Sequence, residues 1–252
     1  MQFVEVPNLP KGRAALVLVS VHAANVAAAL QDLGAEVLFV PDAPNLPSAV
    51  ASHPDLNCLH LGGNVLAVNA AQDRLICALR SRGFQVIPQH GIDAKYPADC
   101  ALNAIVGESG ALSHKTALHG AVRAHLQKKG YSFHSTKQGY TRCSAALVAE
   151  NAVATADVGI CRYFRQMGAD ALLLPPGDIM LPGFDYGFIG GCCAKLDART
   201  LVFTGCVSAL SYYPQISMLC ERHGVMISEL CRAPIEDIGG ILPLKETGGY
   251  VS

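Results

Sequence analysis

Val158-Gly159-Ile160-Cys161-Arg162-Tyr163-Phe164-Arg165-Gln166-Met167-Gly168-Ala169-Asp170-Ala171-Leu172-Leu173-Leu174 holds, in one stretch, the unit from which the chain is built. Residues 158–167 read as a helix behind Asp157, whose carboxylate can cap the orphan N–H groups of a first turn. Gly168 stands where that helix must stop, because glycine takes the left-handed conformation that strains a residue carrying a Cβ. The apolar run that follows is a short strand. The same phrase recurs four times. Residues 23–33 lead to Gly34 and the strand 35–40, and 72–82 to Gly83 and 84–87. Residues 115–129 lead to Gly130 and 131–133, and 214–223 to Gly224 and 225–227. Ser20 and Ser113 are expected caps, and Pro214 suits a first helical turn. The marker glycines recur at intervals of roughly 40–55 residues, the range of repeat architectures.

A second landmark follows each strand: a loop leads into another apolar strand with cysteine near its start. Residues 56–61, 98–103, 141–146 and 191–196 carry Cys58, Cys100, Cys143 and the Cys192-Cys193 pair, and the fifth place, Ile238-Gly239-Gly240-Ile241-Leu242-Pro243, has none. Small residues at one repeated place fit strands that converge where room is short. Five such units without terminal capping repeats read as a closed ring burying every inner strand. The expected fold is α/β, a five-repeat pseudo-fivefold α/β propeller formed as a single domain over residues 1–252. An open doubly wound sheet in two domains is the alternative, but no linker separates the halves.

Composition narrows the function classes. Of 252 residues, 51% are apolar and 15% charged, with a formal net charge of −1. Lys and Arg are scattered, so a nucleic-acid partner is not expected. Lys128-Lys129 fits a helix C-terminus, where cations meet the negative end of the dipole. The apolar stretch 14–40 is interrupted by Ser20, His22, Asn25, Gln31, Asp32 and Glu36, so no membrane span is expected. The N-terminus carries no basic-then-apolar leader, which reads as cytoplasmic. Ten cysteines without a Cys-x-x-Cys pair read as reduced thiols, neither a disulfide framework nor a zinc knuckle. Cys58, Cys100, Cys143 and Cys193 occupy analogous places, but their wide spacing argues against a metal centre. No phosphate loop, dinucleotide fingerprint or serine elbow is legible, so no cofactor is expected.

The repeated units, together with His53-Pro54-Asp55-Leu56-Asn57-Cys58-Leu59-His60-Leu61-Gly62-Gly63-Asn64, Lys137-Gln138-Gly139-Tyr140-Thr141-Arg142-Cys143-Ser144 and Leu181-Pro182-Gly183-Phe184-Asp185-Tyr186-Gly187-Phe188-Ile189-Gly190-Gly191, resemble the pentein (guanidino-group-modifying enzyme) superfamily, and within it an uncharacterised bacterial branch. At the level of repeats the resemblance covers nearly the whole chain. It implies the five-unit ring and, for the catalytic members, thiolate attack on an amidine or guanidinium carbon, with a histidine moving protons and carboxylates holding the cation. The family's nucleophile follows a Gly-Gly pair in the final strand, where this chain has Gly239-Gly240-Ile241-Leu242 and no cysteine. The superfamily also contains a non-catalytic ribosome anti-association factor, so the fold does not guarantee chemistry.

Three segments carry candidate chemistry. In 185–191 the glycines let backbone approach a ligand, Asp185 and Tyr186 are substrate-binding candidates, and Cys192 and Cys193 follow at a strand entry. An inward thiol beside Lys195, Lys137 or Arg142 would be a nucleophile, while packed thiols are the plainer alternative. Lys137 and Arg142 can hold an anion, Arg142 as the fork. His60 lies two residues past Cys58 on one strand face, the place for a base near a thiol, and Asn64 follows as a further binding candidate. The expectation is a protein that binds a small polar, amino- or guanidino-bearing molecule at the ring centre. If enzymatic, it would be a thiol-dependent hydrolase or transferase acting on C–N bonds with Cys193 or Cys192 as nucleophile and His60 as proton carrier. A non-catalytic binding or interaction module is the competing class. The substrate and the oligomeric state are not legible.

Overall fold

The computed structural model describes residues 1–248. The first unit contains β1 (Gln2–Phe3), β2 (Ala14–Ser20), α1 (Ala24–Asp32) and β3 (Glu36–Val40). The second holds the single-turn α2 (Pro54–Asn57), β4 (Cys58–His60), β5 (Val65–Asn69), α3 (Asp73–Arg80) and β6 (Gln85–Gln89). The third has β7 (Ile105–Val106), β8 (Gly110–His114), α4 (Gly120–Lys128) and β9 (Ser132–Thr136). The fourth has β10 (Ala145–Ala149), β11 (Ala152–Thr155), α5 (Val158–Gln166) and β12 (Asp170–Leu173). The fifth has β13 (Cys193–Asp197), β14 (Thr200–Phe203), α6 (Tyr213–Arg222) and β15 (Met226–Glu229), after which β16 (Leu242–Glu246) returns to the first unit.

Each unit makes its own small sheet, and none closes on itself: β4-β5-β6, β7-β8-β9, β10-β11-β12 and β13-β14-β15, with β1-β16-β2-β3 formed from both ends of the chain. In every unit an antiparallel pair is followed by a helical crossover to a parallel third strand. The five crossover helices end alike. Gly34, Gly83, Gly130, Gly168 and Gly224 all have positive φ, between 64° and 89°. Each donates back into its helix while the next residue donates to the carbonyl one residue further in, as in Gly168 N to Arg165 O (3.0 Å) and Ala169 N to Phe164 O (2.9 Å).

Several local expectations are corrected. Asp157 caps α5 through Ile160 N, but Ser20 ends β2 and Ser113 lies inside β8, and the α4 cap is His119. Helix α4 starts at Gly120, not near 115, because Lys115–Leu118 is spent on a turn and loop. Of the cysteines expected to open strands, Cys58 and Cys193 do so. Cys100 lies in a 3-10 turn and Cys143 in the turn ahead of β10. The misplaced strands follow from reading apolar character alone, since a tight turn walled in on all sides is as apolar as a strand.

The central strand of each sheet is buried on both faces, which makes its sequence a continuous apolar run. Alternating side chains then serve different neighbours. On β2, Leu16 and Leu18 pack with Leu66 and Val68 of the second unit, and Val17 and Val19 with Leu196 and Val202 of the fifth. Three more clusters join the second unit to the third, the third to the fourth and the fourth to the fifth. Every unit thus shares an apolar core with two others.

Candidate functional site

The loops that precede β16, β4, β7, β10 and β13, one per unit, are bonded to one another. Asp55 N donates to Gly239 O (3.2 Å), Gly240 N to Gly191 O (2.7 Å) and Gly191 N to Cys143 O (3.2 Å). Cys143 N donates to Asn103 Oδ1 (3.2 Å), and Asn103 Nδ2 returns to Asp55 O (3.2 Å). The circuit passes through all five units and closes, so backbone groups taken out of water are satisfied by one another. It also needs glycine. A Cβ on Gly191 would run into the Asp237 carboxylate, one on Gly190 into the carbonyls of Arg142, Cys143 and Ala145, and one on Gly239 into His53.

Inside this circuit sits a cluster of polar side chains. Cys143 Sγ donates to Asp55 Oδ2 (2.7 Å) and accepts from Asn103 Nδ2 (3.0 Å). Burial first, and Asp237 next, push the Asp55 carboxyl from its ordinary 3.8 up to about 7, against the Cys143 hydrogen bond and the Arg142 charge. Burial, and then the facing Asp55, hold the Cys143 thiol well above its usual range. Asp237 accepts from Phe188 N (2.9 Å) and Gly239 N (2.9 Å). His53 lies 3.9 Å from Asp237 and is held below its ordinary pKa by burial, which outweighs the attraction of that carboxylate. The imidazole is therefore neutral at pH 7. One cation, Arg142, faces these carboxylates. Its guanidinium donates to Ala145 O (3.2 Å) and Gly190 O (3.1 Å) and is walled in at 4% exposure.

Two cavities meet at this cluster. The smaller, about 210 Å³, is bordered by His53, Tyr140, Cys143, Asp185, Phe188 and Asp237. The larger, about 350 Å³, is bordered by Ser20, Ser52, Thr204, Glu236 and the first turn of α1. His53, Leu181 and Asp237 belong to both. The smaller cavity has aromatic walls: Phe188 lies 6.0 Å from Tyr140 and 6.1 Å, edge-on, from Tyr186.

The residues singled out in the sequence fall in different places. Asp185 and Tyr186 border the smaller cavity. Lys137 is exposed and borders neither cavity, and Arg142 is spent on carbonyls instead of forming an open fork. Cys192 lies in a 3-10 turn, with its thiol on Ile189 O (3.1 Å). Cys193 opens β13, and burial, against the pull of Arg142, pushes its thiol up to about 12. Neither thiol borders either of these two cavities. His60 is at the far end of β4, its Nε2 paired with Gly63 O (2.8 Å), and burial drives its pKa down to about 4 despite that bond. Asn64 is beside it, 3.5 Å from Gly83 O, bordering a separate hollow with Lys129 and Tyr131. Sequence reasoning passed over Asp237, which precedes the fifth landmark by one residue, placed Asp55 in the 53–64 segment without giving it a role, and treated Asn103 and Cys143 as repeat markers. The available signal was their position: each lies in the turn before an inner strand, where the repeats converge. Among the described residues no group of three or more His, Cys, Asp or Glu could hold a metal ion, and no helix is long and apolar enough to cross a membrane.

A model of a family of unknown function, DUF6873, matches residues 18–242. The chain belongs to that family. No curated protein sequence matches it. Among solved structures, inosamine-phosphate amidinotransferase from Streptomyces griseus is similar with a TM-score of 0.61 at 13% identity, over 98% of each chain. Agmatine deiminase from C. jejuni, with substrate bound, gives 0.57 at 8% identity, over 96% of this chain and 97% of that one. Dimethylarginine dimethylaminohydrolase from Pseudomonas aeruginosa, complexed with citrulline, gives 0.56 at 11%, over 90% and 96%. At such identities the likeness shows that this chain has their mixed α/β fold.

Proposed function

We propose that the five units stand in a pseudo-fivefold ring as one domain, and that this cytoplasmic protein binds a small molecule with an amino or guanidino group at the ring's centre. The ring reading rests on the hydrogen-bond circuit and on the apolar clusters that pass from unit to unit and return. The ligand reading rests on one observation, a charge imbalance around an accessible cavity. Asp237 and Asp185 border it, and among the described residues neither has a Lys or Arg within ion-pair distance. Arg142 offsets part of this charge, and the neutral His53 offsets none. A cation entering between Asp185 and Asp237 would meet two carboxylates that no Lys or Arg pairs, with Tyr140, Tyr186 and Phe188 offering ring faces to its planar head.

A thiol-dependent reaction on a C–N bond is the second reading, favoured by Cys143. It borders the cavity and donates to Asp55, the carboxyl placed to take its proton when a substrate draws on the sulfur. Cys192, Cys193 and His60 are left to packing in this reading.

Calorimetry with arginine, agmatine and citrulline tests the ligand. The cationic arginine and agmatine should bind at least about ten-fold more tightly than the neutral citrulline, the scale of one charged hydrogen bond. Asp185→Asn, at an exposed position, should erase that preference without altering the fold. Equal binding of citrulline, or no binding of either cation, would overturn the proposal.

A further inference from the structure

The larger chamber is rich in hydrogen-bond donors. Helix α1 begins at its wall, and Ala23, Ala24, Asn25 and Val26 border it. The first intrahelical bond runs from Ala27 N to Ala23 O, and Ala23 gives no side-chain cap. The N–H groups of the opening turn therefore face the chamber with the positive end of the helix dipole behind them. Ser20 and Ser52 lie beside them, both buried, with their hydroxyls 2.7 Å apart. Ser20 Oγ also accepts from His22 N (3.2 Å), so one hydroxyl proton of the pair remains unused. An independent observation comes from His53. It is 5% exposed, borders both chambers, and among the described residues its ring makes no hydrogen bond; the Asp237 oxygen at 3.9 Å is out of reach. This imidazole, nine-tenths buried, therefore stands with two idle nitrogens at the boundary of two cavities, open to a partner that enters them.

We propose that the larger chamber holds the carboxylate of the same ligand whose cationic head occupies the smaller cavity, with the α1 N–H groups, the serine pair and His53 as its donors. This rests on the ligand reading above and extends it to a two-ended molecule. A carboxylate fits better than a phosphate. No Lys or Arg borders the chamber, and Glu236 and Asp237 do, so a second negative charge would be repelled.

Calorimetry at pH 7.5 compares butylguanidine, 4-guanidinobutanoate and 2-guanidinoethyl phosphate. The carboxylate should bind about ten-fold or more tightly than butylguanidine, the scale of a charged hydrogen bond. Asn25→Asp places a negative charge in the chamber at a helix position where an acid favours folding. It should remove the advantage, Asn25→Lys should enlarge it, and both should leave butylguanidine binding within two-fold. Equal binding of butylguanidine and the carboxylate overturns the proposal, as does an advantage that survives Asn25→Asp. Tighter binding of the phosphate overturns the carboxylate assignment. If no guanidine binds, the cationic half fails by itself and sodium acetate decides the chamber. A melting temperature raised by acetate in the wild type but not in Asn25→Asp supports the anion chamber, and no rise in the wild type overturns it.

Discussion

Replacing Asp55 by asparagine preserves the shape of the side chain and deletes its proton equilibrium. In the folded protein that carboxyl titrates at about 7 against an ordinary 3.8, chiefly through burial. Between those values the folded chain keeps a proton that the unfolded chain has released, so the group's contribution is whole below pH 3.8 and is lost as pH rises through 7. At about 1.4 kcal/mol for each pH unit, the loss comes to roughly 4 kcal/mol. His60 runs the other way. Burial holds it at about 4 against 6.5, so stability is recovered as pH climbs between those values. That recovery is worth roughly 3 kcal/mol. In the wild-type protein the two slopes largely offset each other between pH 4 and 7. Asp55→Asn removes one and exposes the other. Urea titrations at one-unit steps from pH 4 to 8, followed by circular dichroism because the chain has no tryptophan, should show the variant gaining roughly 4 kcal/mol on the wild type across the range. A difference between the two proteins that stays constant with pH would refute the claim that Asp55 is protonated in the folded centre.

Two further outcomes test the geometry of the same region. Gly191→Ala forces a methyl group into the Asp237 carboxylate, which is fixed by Phe188 N and Gly239 N. It should cost about 3 kcal/mol or more of unfolding free energy, and a loss under 1 kcal/mol in urea titration would mean that the 237–239 turn does not lie against Gly191. Iodoacetamide labelling mapped by mass spectrometry should modify the exposed Cys77 first, then the half-buried Cys206 and Cys231, and only slowly Cys143 through the cavity it borders, with Cys192 and Cys193 reacting only on unfolding. Equal rates for Cys143 and Cys193 would remove the case for Cys143 as the accessible thiol of the centre.

The parts of the fold legible in the sequence were those governed by local chemistry. A helix that stops at a left-handed glycine leaves a mark that needs no tertiary context, and all five marks were found where the chain makes them. The turns before the inner strands were harder to read. Their residues are apolar because five loops crowd together, and Ala98–Cys100 carries no local sign separating a walled-in turn from a strand. The site was legible only at its rim. Asp185 stands in a glycine-rich loop, and its type and setting are enough to nominate it. Asp55, Asn103, Cys143 and Asp237 become a cluster only when four of the units meet, and no spacing along the chain encodes that meeting. His60 and the Cys192-Cys193 pair show the converse: residue types suited to catalysis, placed by alternation and burial away from the two central cavities.

The strand Leu242–Glu246 lies between Gln2–Phe3 and Ala14–Ser20, pairing Gln2 with Glu246 and Val17 with Pro243. Contacts so distant along the chain are the slowest to form, because loop closure must precede any gain from pairing. The stretch leading into this strand also supplies Asp237, Gly239 and Gly240, so docking of the last strand and assembly of the binding centre are one event. On the proposed reading, a nascent chain that still lacks the closing strand has nowhere to receive a ligand, and binding competence arrives in one step when that strand docks between Gln2–Phe3 and Ala14–Ser20.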